Sequence, residues 1–288
     1  MSANDQTMIT ALAQASAAAH PVPDRGHVNN FITDAELQQL LALYLPTDLY
    51  AHLQPYFERM GELAGGAVDD WALEADRNPP TLEMRSRSGK EVQRIVKHPA
   101  YVEMEKVAYQ QFGLAAISHR EDMLGWKGKM PPIVKYALTY LFVQAEFGLC
   151  CPLSMTDSLT RTLKKYGEQK LVEKYLPQLL SMDFDASVQG SMFMTEQAAG
   201  SDISNTLTMA YPQEDGSWRL YGEKWFCSNP DAGFGMVLAR VDGGPPGMKG
   251  ISLFLLPRQL DDGSTNHYQI VRLKDKMVSC PVMTEEGQ

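Results

Sequence analysis

The chain has 288 residues, 44% of them hydrophobic and 21% charged. That is enough apolar matter for one large or two ordinary domains, and too little charge for wholesale disorder. The formal net charge of -9 repels phosphate backbones and disfavours nucleic-acid binding by the chain as a whole.

Residues 1–30 read as a flexible leader. They are alanine-rich and polar, without the basic start and apolar centre of a secretory signal. Pro21, Pro23, Gly26, Asn29 and Asn30 favour irregular backbone at its end. A helical domain is expected over residues 31–190. Asp69 and Asp70 read as an exposed acidic turn. His98 and His119 lack metal-like partner spacing and read as ordinary surface or core histidines.

Val134, Ala137, Leu138, Leu141, Phe142, Ala145 and Leu149 recur at helical spacing and predict a buried helix over 134–149. The longest apolar run, Tyr136 to Cys151, is interrupted by Gln144 and Glu146, so no membrane span is predicted. A second helix is expected over 157–166. Ser154 or Thr156 would cap it, Gly167 would close it in a left-handed turn, and Lys164 and Lys165 would occupy its last turn. With Lys170, these lysines read as a solvated face. Leu171, Val172, Tyr175 and Leu176 predict a further helix that ends at Pro177. Cys150, Cys151, Cys227 and Cys280 show neither zinc nor CxxC spacing. The adjacent pair reads as small core residues, and a reducing, cytoplasmic setting fits.

The periods shorten from Ser191 onward. Trp218, Leu220 and Gly222 alternate with Arg219 and Tyr221 as a half-buried strand would. Val237–Val241 and Ile251–Leu256 are strand-length apolar runs, separated by the turn signal from Asp242 to Gly247. A small antiparallel β-barrel or sandwich over 191–277 is expected, followed by an unpatterned tail over 278–288.

The stretch Met194-Thr195-Glu196-Gln197-Ala198-Ala199-Gly200-Ser201-Asp202 joins the two regions. Gly200 lets a backbone approach a ligand closely, and Thr195 and Ser201 carry hydroxyl donors. On spacing alone an ordinary turn explains it equally well. The stretch closely resembles the acyl-CoA dehydrogenase signature, however. Gly222-Glu223-Lys224-Trp225-Phe226-Cys227-Ser228-Asn229 is similar to that family's flavin-side strand. Arg272-Leu273-Lys274-Asp275-Lys276 resembles an element of its AidB-like branch, as do the segments from Lys97 to Tyr101 and from Cys151 to Thr156.

The resemblance implies FAD as cofactor and an acyl-CoA as substrate, with α,β-dehydrogenation as the reaction. It places Met194 and Thr195 against the flavin, Thr195 at its pyrimidine edge. Gly200 and Ser201 fall beside the FAD, Ser201 also beside the acyl-CoA. Phe226 packs on the isoalloxazine with Trp225 beside it, and Ser228 lies near N5. Glu196 corresponds to a structural glutamate. The family's catalytic base lies in a C-terminal helical domain that also builds its oligomer interface. That domain is expected to be absent from these 288 residues, which suggests a truncated chain with impaired turnover. The electron acceptor is left open. The alternatives are a non-catalytic flavin-binding or interaction module, and an AidB-like alkylation-response protein.

Overall fold

The computed structural model describes residues 26–273 and 279–287. Helix α1 (Ala35–Tyr44) starts where Asp34 accepts a hydrogen bond from Leu37 N at 2.8 Å, satisfying one of the first-turn donors. The second Asp34 carboxylate oxygen accepts from Tyr140 Oη. In α2 (Thr47–Ala64), Leu49, Leu53, Phe57, Met60 and Leu63 bury one stripe, the periodicity of a core-facing helix.

Glycines let the chain cross α2 closely. A Cβ on Gly65 would lie 1.6 Å from Val28 O, and one on Gly61 would lie 2.3 Å from Asn29 Oδ1. Residues 28–31 therefore dock on α2, and Asn30 N donates to Gly61 O. The end of the segment expected to be flexible is tied down.

After α3 (Ala67–Arg77) the chain forms an antiparallel hairpin, β1 (Thr81–Arg85) and β2 (Glu91–Val96). The helical expectation missed it. Asp69 and Asp70 lie in the first turn of α3, where carboxylates complement the helix dipole. Helix α4 (Pro99–Glu105) opens with Pro99 and with Ala100 N donating to His98 Nδ1, then widens into a π-helical turn over Lys106–Gln111.

Helix α5 (Pro132–Val143) stops short of the expected Leu149. Glu146 turns inward and accepts from Leu149 N at 3.0 Å, organising a corner. Helix α6 (Cys150–Tyr166) starts earlier than expected, so Ser154 and Thr156 lie inside it. Thr156 Oγ1 donates to Pro152 O, and it also accepts from Gly190 N. Gly167 is extended, at φ -68 and ψ 147, not left-handed, while Lys164 and Lys165 do occupy the last turn. Cys151 is exposed and Cys150 only partly buried, so the pair is not core. Helix α7 (Gln169–Leu179) runs two residues past Pro177.

The strands β3 (Gly190–Phe193), β4 (Met209–Pro212), β5 (Trp218–Ser228), β6 (Phe234–Val241), β7 (Ile251–Pro257), β8 (Gln269–Ile270) and β9 (Ser279–Gly287) form one sheet. It is mixed rather than the antiparallel barrel expected. Strands β3 and β4 run parallel to β6, whereas β4–β5, β5–β9 and β6–β7 are antiparallel. Side-chain alternation has a period of two in either orientation, so the sequence pattern does not distinguish them. Residues 279–287 pair with β5 and are not an unpatterned tail.

One core fills the helical lobe around Leu53, Phe57, Met104, Leu138 and Phe142. A second lies in the sheet around Phe193, Leu220, Cys227, Val237 and Leu256. A third joins the two, with Leu159, Leu163 and Leu179 packed against Phe234 and Met236. Gly190 makes that approach possible, since a Cβ there would sit 3.1 Å from Thr156 Cα. The hairpin adds a second tie. Gln93 is buried and accepts from Ile270 N at 2.9 Å through its side chain. Its carbonyl oxygen accepts from Arg258 Nη2 at 2.7 Å.

Candidate functional site

The segment after β3 and the end of β5 meet in the sheet lobe. Trp225 N donates to Thr195 O at 2.8 Å, and Met192 pairs with Ser228. The two segments that sequence comparison singled out separately therefore form one surface.

Strand β5 carries a bulge there. Lys224 pairs with Val282 and Cys227 with Cys280, so Trp225 and Phe226 together oppose Pro281. A proline has no N–H to give the ladder and suits an interruption. Phe226 adopts φ +56, a left-handed conformation that costs a residue with a Cβ roughly 1–2 kcal/mol. Regular pleating would send neighbouring side chains to opposite faces. Here the Trp225 and Phe226 rings meet edge to face at 6.2 Å. Phe226 is 51% exposed. Bulges commonly re-aim side chains beside functional sites.

A buried ion pair fixes the loop behind this wall. Lys224 Nζ donates to Glu196 Oε1 at 2.6 Å and to Met194 O at 3.2 Å. Glu196 Oε1 also accepts from Thr208 N and Thr208 Oγ1, and Oε2 accepts from Leu207 N. Burial pushes the Glu196 carboxyl up, but hydrogen bonds from Lys224, Thr208 and Leu207 outweigh it and hold the group below the ordinary carboxylate range. Burial pulls the Lys224 ammonium down despite its partner. Glu196 is thus saturated with donors and positions structure, as the resemblance implied.

Met194, Thr195, Trp225 and Ser228 are half-buried, and Gly200 and Ser201 are exposed further along the loop. A Cβ added to Gly200 would meet nothing within 4 Å. No packing among the described residues demands a glycine there. Trp225 Nε1 is buried without a hydrogen-bond partner among the described residues, a deficit worth about 1–3 kcal/mol if it stays unmet. The Arg272 guanidinium stands 6.0 Å from the Trp225 ring centroid.

Sequence reasoning missed the polar chain that reaches this surface from the helical lobe. Buried Glu105 accepts from Lys97 Nζ and from Gln189 Nε2, both at 2.9 Å. Asn229 Nδ2 donates to Gln189 Oε1 at 2.9 Å, and Asn229 has φ +53. The unusual backbone at Asn229 has a weak local signal, because Asn tolerates the left-handed region. The partners of Glu105 have none, being 84 residues apart in the case of Gln189. His119 is buried against Asp157 at 2.9 Å, with Lys135 Nζ on the other carboxylate oxygen at 3.0 Å. A cavity of about 190 Å³ lies beside this cluster, lined by Leu114, Lys135, Thr139, Leu153 and Ser154.

A helical lobe joined to a mixed sheet that carries an aromatic bulge defines the front part of an acyl-CoA dehydrogenase fold. The chain belongs to that family, in its AidB-like branch: residues 21–186 match the adaptive response protein AidB N-terminal domain and residues 191–277 the acyl-CoA dehydrogenase middle domain. Acyl-CoA dehydrogenase family member 11 of Caenorhabditis elegans is 28% identical over 266 residues, covering 90% of this chain and 42% of that protein. AidB of Escherichia coli strain K12 is 31% identical over 229 residues, 74% of this chain and 40% of that protein. The crystal structure of Caenorhabditis elegans ACDH-11 in complex with C11-CoA superposes with a TM-score of 0.81 at 25% identity, over 94% of this chain and 48% of that one. The chain thus spans less than half the length of these relatives.

Proposed function

We propose that the Thr195 loop and the Trp225–Phe226 bulge form one wall of an FAD site, in an oxidoreductase that acts on acyl-CoA thioesters. The observation that carries the reading is the 2.8 Å bond from Trp225 N to Thr195 O, with Phe226 turned outward beside it. When bound, FAD supplies the hydride acceptor for α,β-dehydrogenation.

This chain's residues then have distinct tasks. Phe226 gives a flat apolar face that excludes water from the ring. Thr195 and Ser228 offer hydroxyl donors to its polar edges, where negative charge gathers on reduction. Met194 packs beside Thr195. Gly200 and Ser201 leave room and a donor for phosphate or pantetheine groups. The chemistry of this set, aromatic surface ringed by donors, fits a flavin. The similarity to a relative solved with C11-CoA supports an acyl-CoA as substrate.

The test uses the purified 288-residue chain. It should take up FAD, shown by flavin absorbance that survives gel filtration and by quenching of flavin fluorescence. A chain that neither retains nor quenches FAD would overturn the reading.

A further inference from the structure

The family resemblance assigns no polar contact to two groups at the bulge: Trp225 Nε1, without a partner among the described residues, and the nearby Arg272 guanidinium. We propose that Trp225 is a hydrogen-bond donor of the flavin site, reserved for a ring carbonyl oxygen of the cofactor, and that Arg272 supplies the positive charge behind it. The proposal rests on the FAD reading above.

The argument starts from accounting. A buried N–H without a partner is rare and calls for an explanation. Among the described residues Trp225 Nε1 is such a group. Its indole lies edge to face with Phe226, the exposed ring of the same bulge. The backbone at Trp225 is pinned to Thr195, which fixes the point from which the indole projects. The donor therefore belongs to the bulge that carries the exposed Phe226 ring on which the flavin would stack. An indole N–H only donates. Its complement must be an acceptor, and isoalloxazine carbonyl oxygens are of that type.

Arg272 adds charge. Its guanidinium approaches the Trp225 ring at 6.0 Å, within the range of a cation–π contact. Flavin reduction concentrates negative charge on the pyrimidine side of the ring, and a fixed cation near that charge favours the reduced form. The effect of Arg272 should therefore fall mainly on reduced flavin, and that of Trp225 on both redox states.

The experiment compares wild type, W225F and R272Q. FAD affinity is measured by fluorescence titration, and the midpoint potential of the bound flavin by dye equilibration. W225F keeps an aromatic ring and loses the donor, so it should bind oxidised FAD about fivefold more weakly, the worth of one net hydrogen bond. R272Q alters an exposed side chain. It should bind oxidised FAD nearly as wild type does, and shift the bound flavin to a more negative potential. Far-ultraviolet circular dichroism and thermal melts of the unloaded proteins check that both variants fold. Should W225F misfold, W225Y keeps the bulk, displaces the donor and is read in the same way. Wild-type affinity in the folded Trp225 variant, or an unchanged potential in R272Q, overturns the proposal while leaving the FAD reading intact. A wild-type chain that binds no FAD overturns both.

Discussion

Lys224 and Glu196 are 28 residues apart in sequence and meet at 2.6 Å, with side-chain exposures of 0% and 4%. Such a pair is weak evidence of net stabilisation, because desolvating both charges offsets their attraction. Breaking it is another matter. K224M should destabilise the sheet lobe by about 3–5 kcal/mol, since Glu196 would be left as an unpaired buried charge. Urea unfolding read by tryptophan fluorescence measures this. A loss under ~1 kcal/mol would contradict the buried geometry.

Glu196 also sets an acid limit. Its folded pKa is lowered, so its contribution is fully present above the unfolded carboxylate pKa and is lost as pH falls through the lowered folded value. Asp157 behaves in the same way in the helical lobe. Burial pushes it up, but hydrogen bonds from His119 and Lys135 outweigh burial and hold it low. Stability should therefore fall as the solution is acidified through and below the ordinary carboxylate range. E196Q should flatten that slope for unfolding of the sheet lobe, as followed by urea midpoints across an acidic pH series.

Gly65 and Gly200 should respond oppositely to alanine. A Cβ on Gly65 runs into the Val28 carbonyl, while one on Gly200 meets nothing. G65A should cost at least ~2 kcal/mol through overpacking and undocking of residues 28–31. G200A should leave the melting temperature within a degree or so of wild type, and weaken FAD binding if the ligand approaches that backbone. Parallel melts and FAD titrations decide both.

Phe226 illustrates a trade between stability and function. Its left-handed backbone suits glycine, and its ring is half exposed. F226G should be neutral or up to about 1 kcal/mol more stable, because the strain is relieved. It should also bind FAD markedly less well. Higher stability together with intact FAD affinity would remove Phe226 from the wall.

The order of the molecule, helices first and sheet second, was legible in the sequence. So were the Thr195 and Phe226 segments, through residue types kept in sequence order. These are properties of short stretches of chain: periodicity, turn residues and a run of small and hydroxylated side chains. The same local signals misread the boundary between α5 and α6. The inward turn of Glu146 onto Leu149 N depends on the corner that the chain makes there, and apolar spacing carries straight on through it. The β1–β2 hairpin was missed because Leu82 and Ile95 find their apolar neighbours in the sheet lobe.

Tertiary structure alone decided the rest. Strand direction in the mixed sheet is invisible to a period of two. The bulge exists because β5 and β9 slip by one residue against each other, which no inspection of β5 by itself reveals. The charge state of Glu196 depends on Lys224, Thr208 and Leu207, brought together by folding. Sequence thus determined which chemical groups are present and which family they belong to. The tertiary structure determined which groups touch, because register, burial and hydrogen-bond pairing arise between segments and not within them.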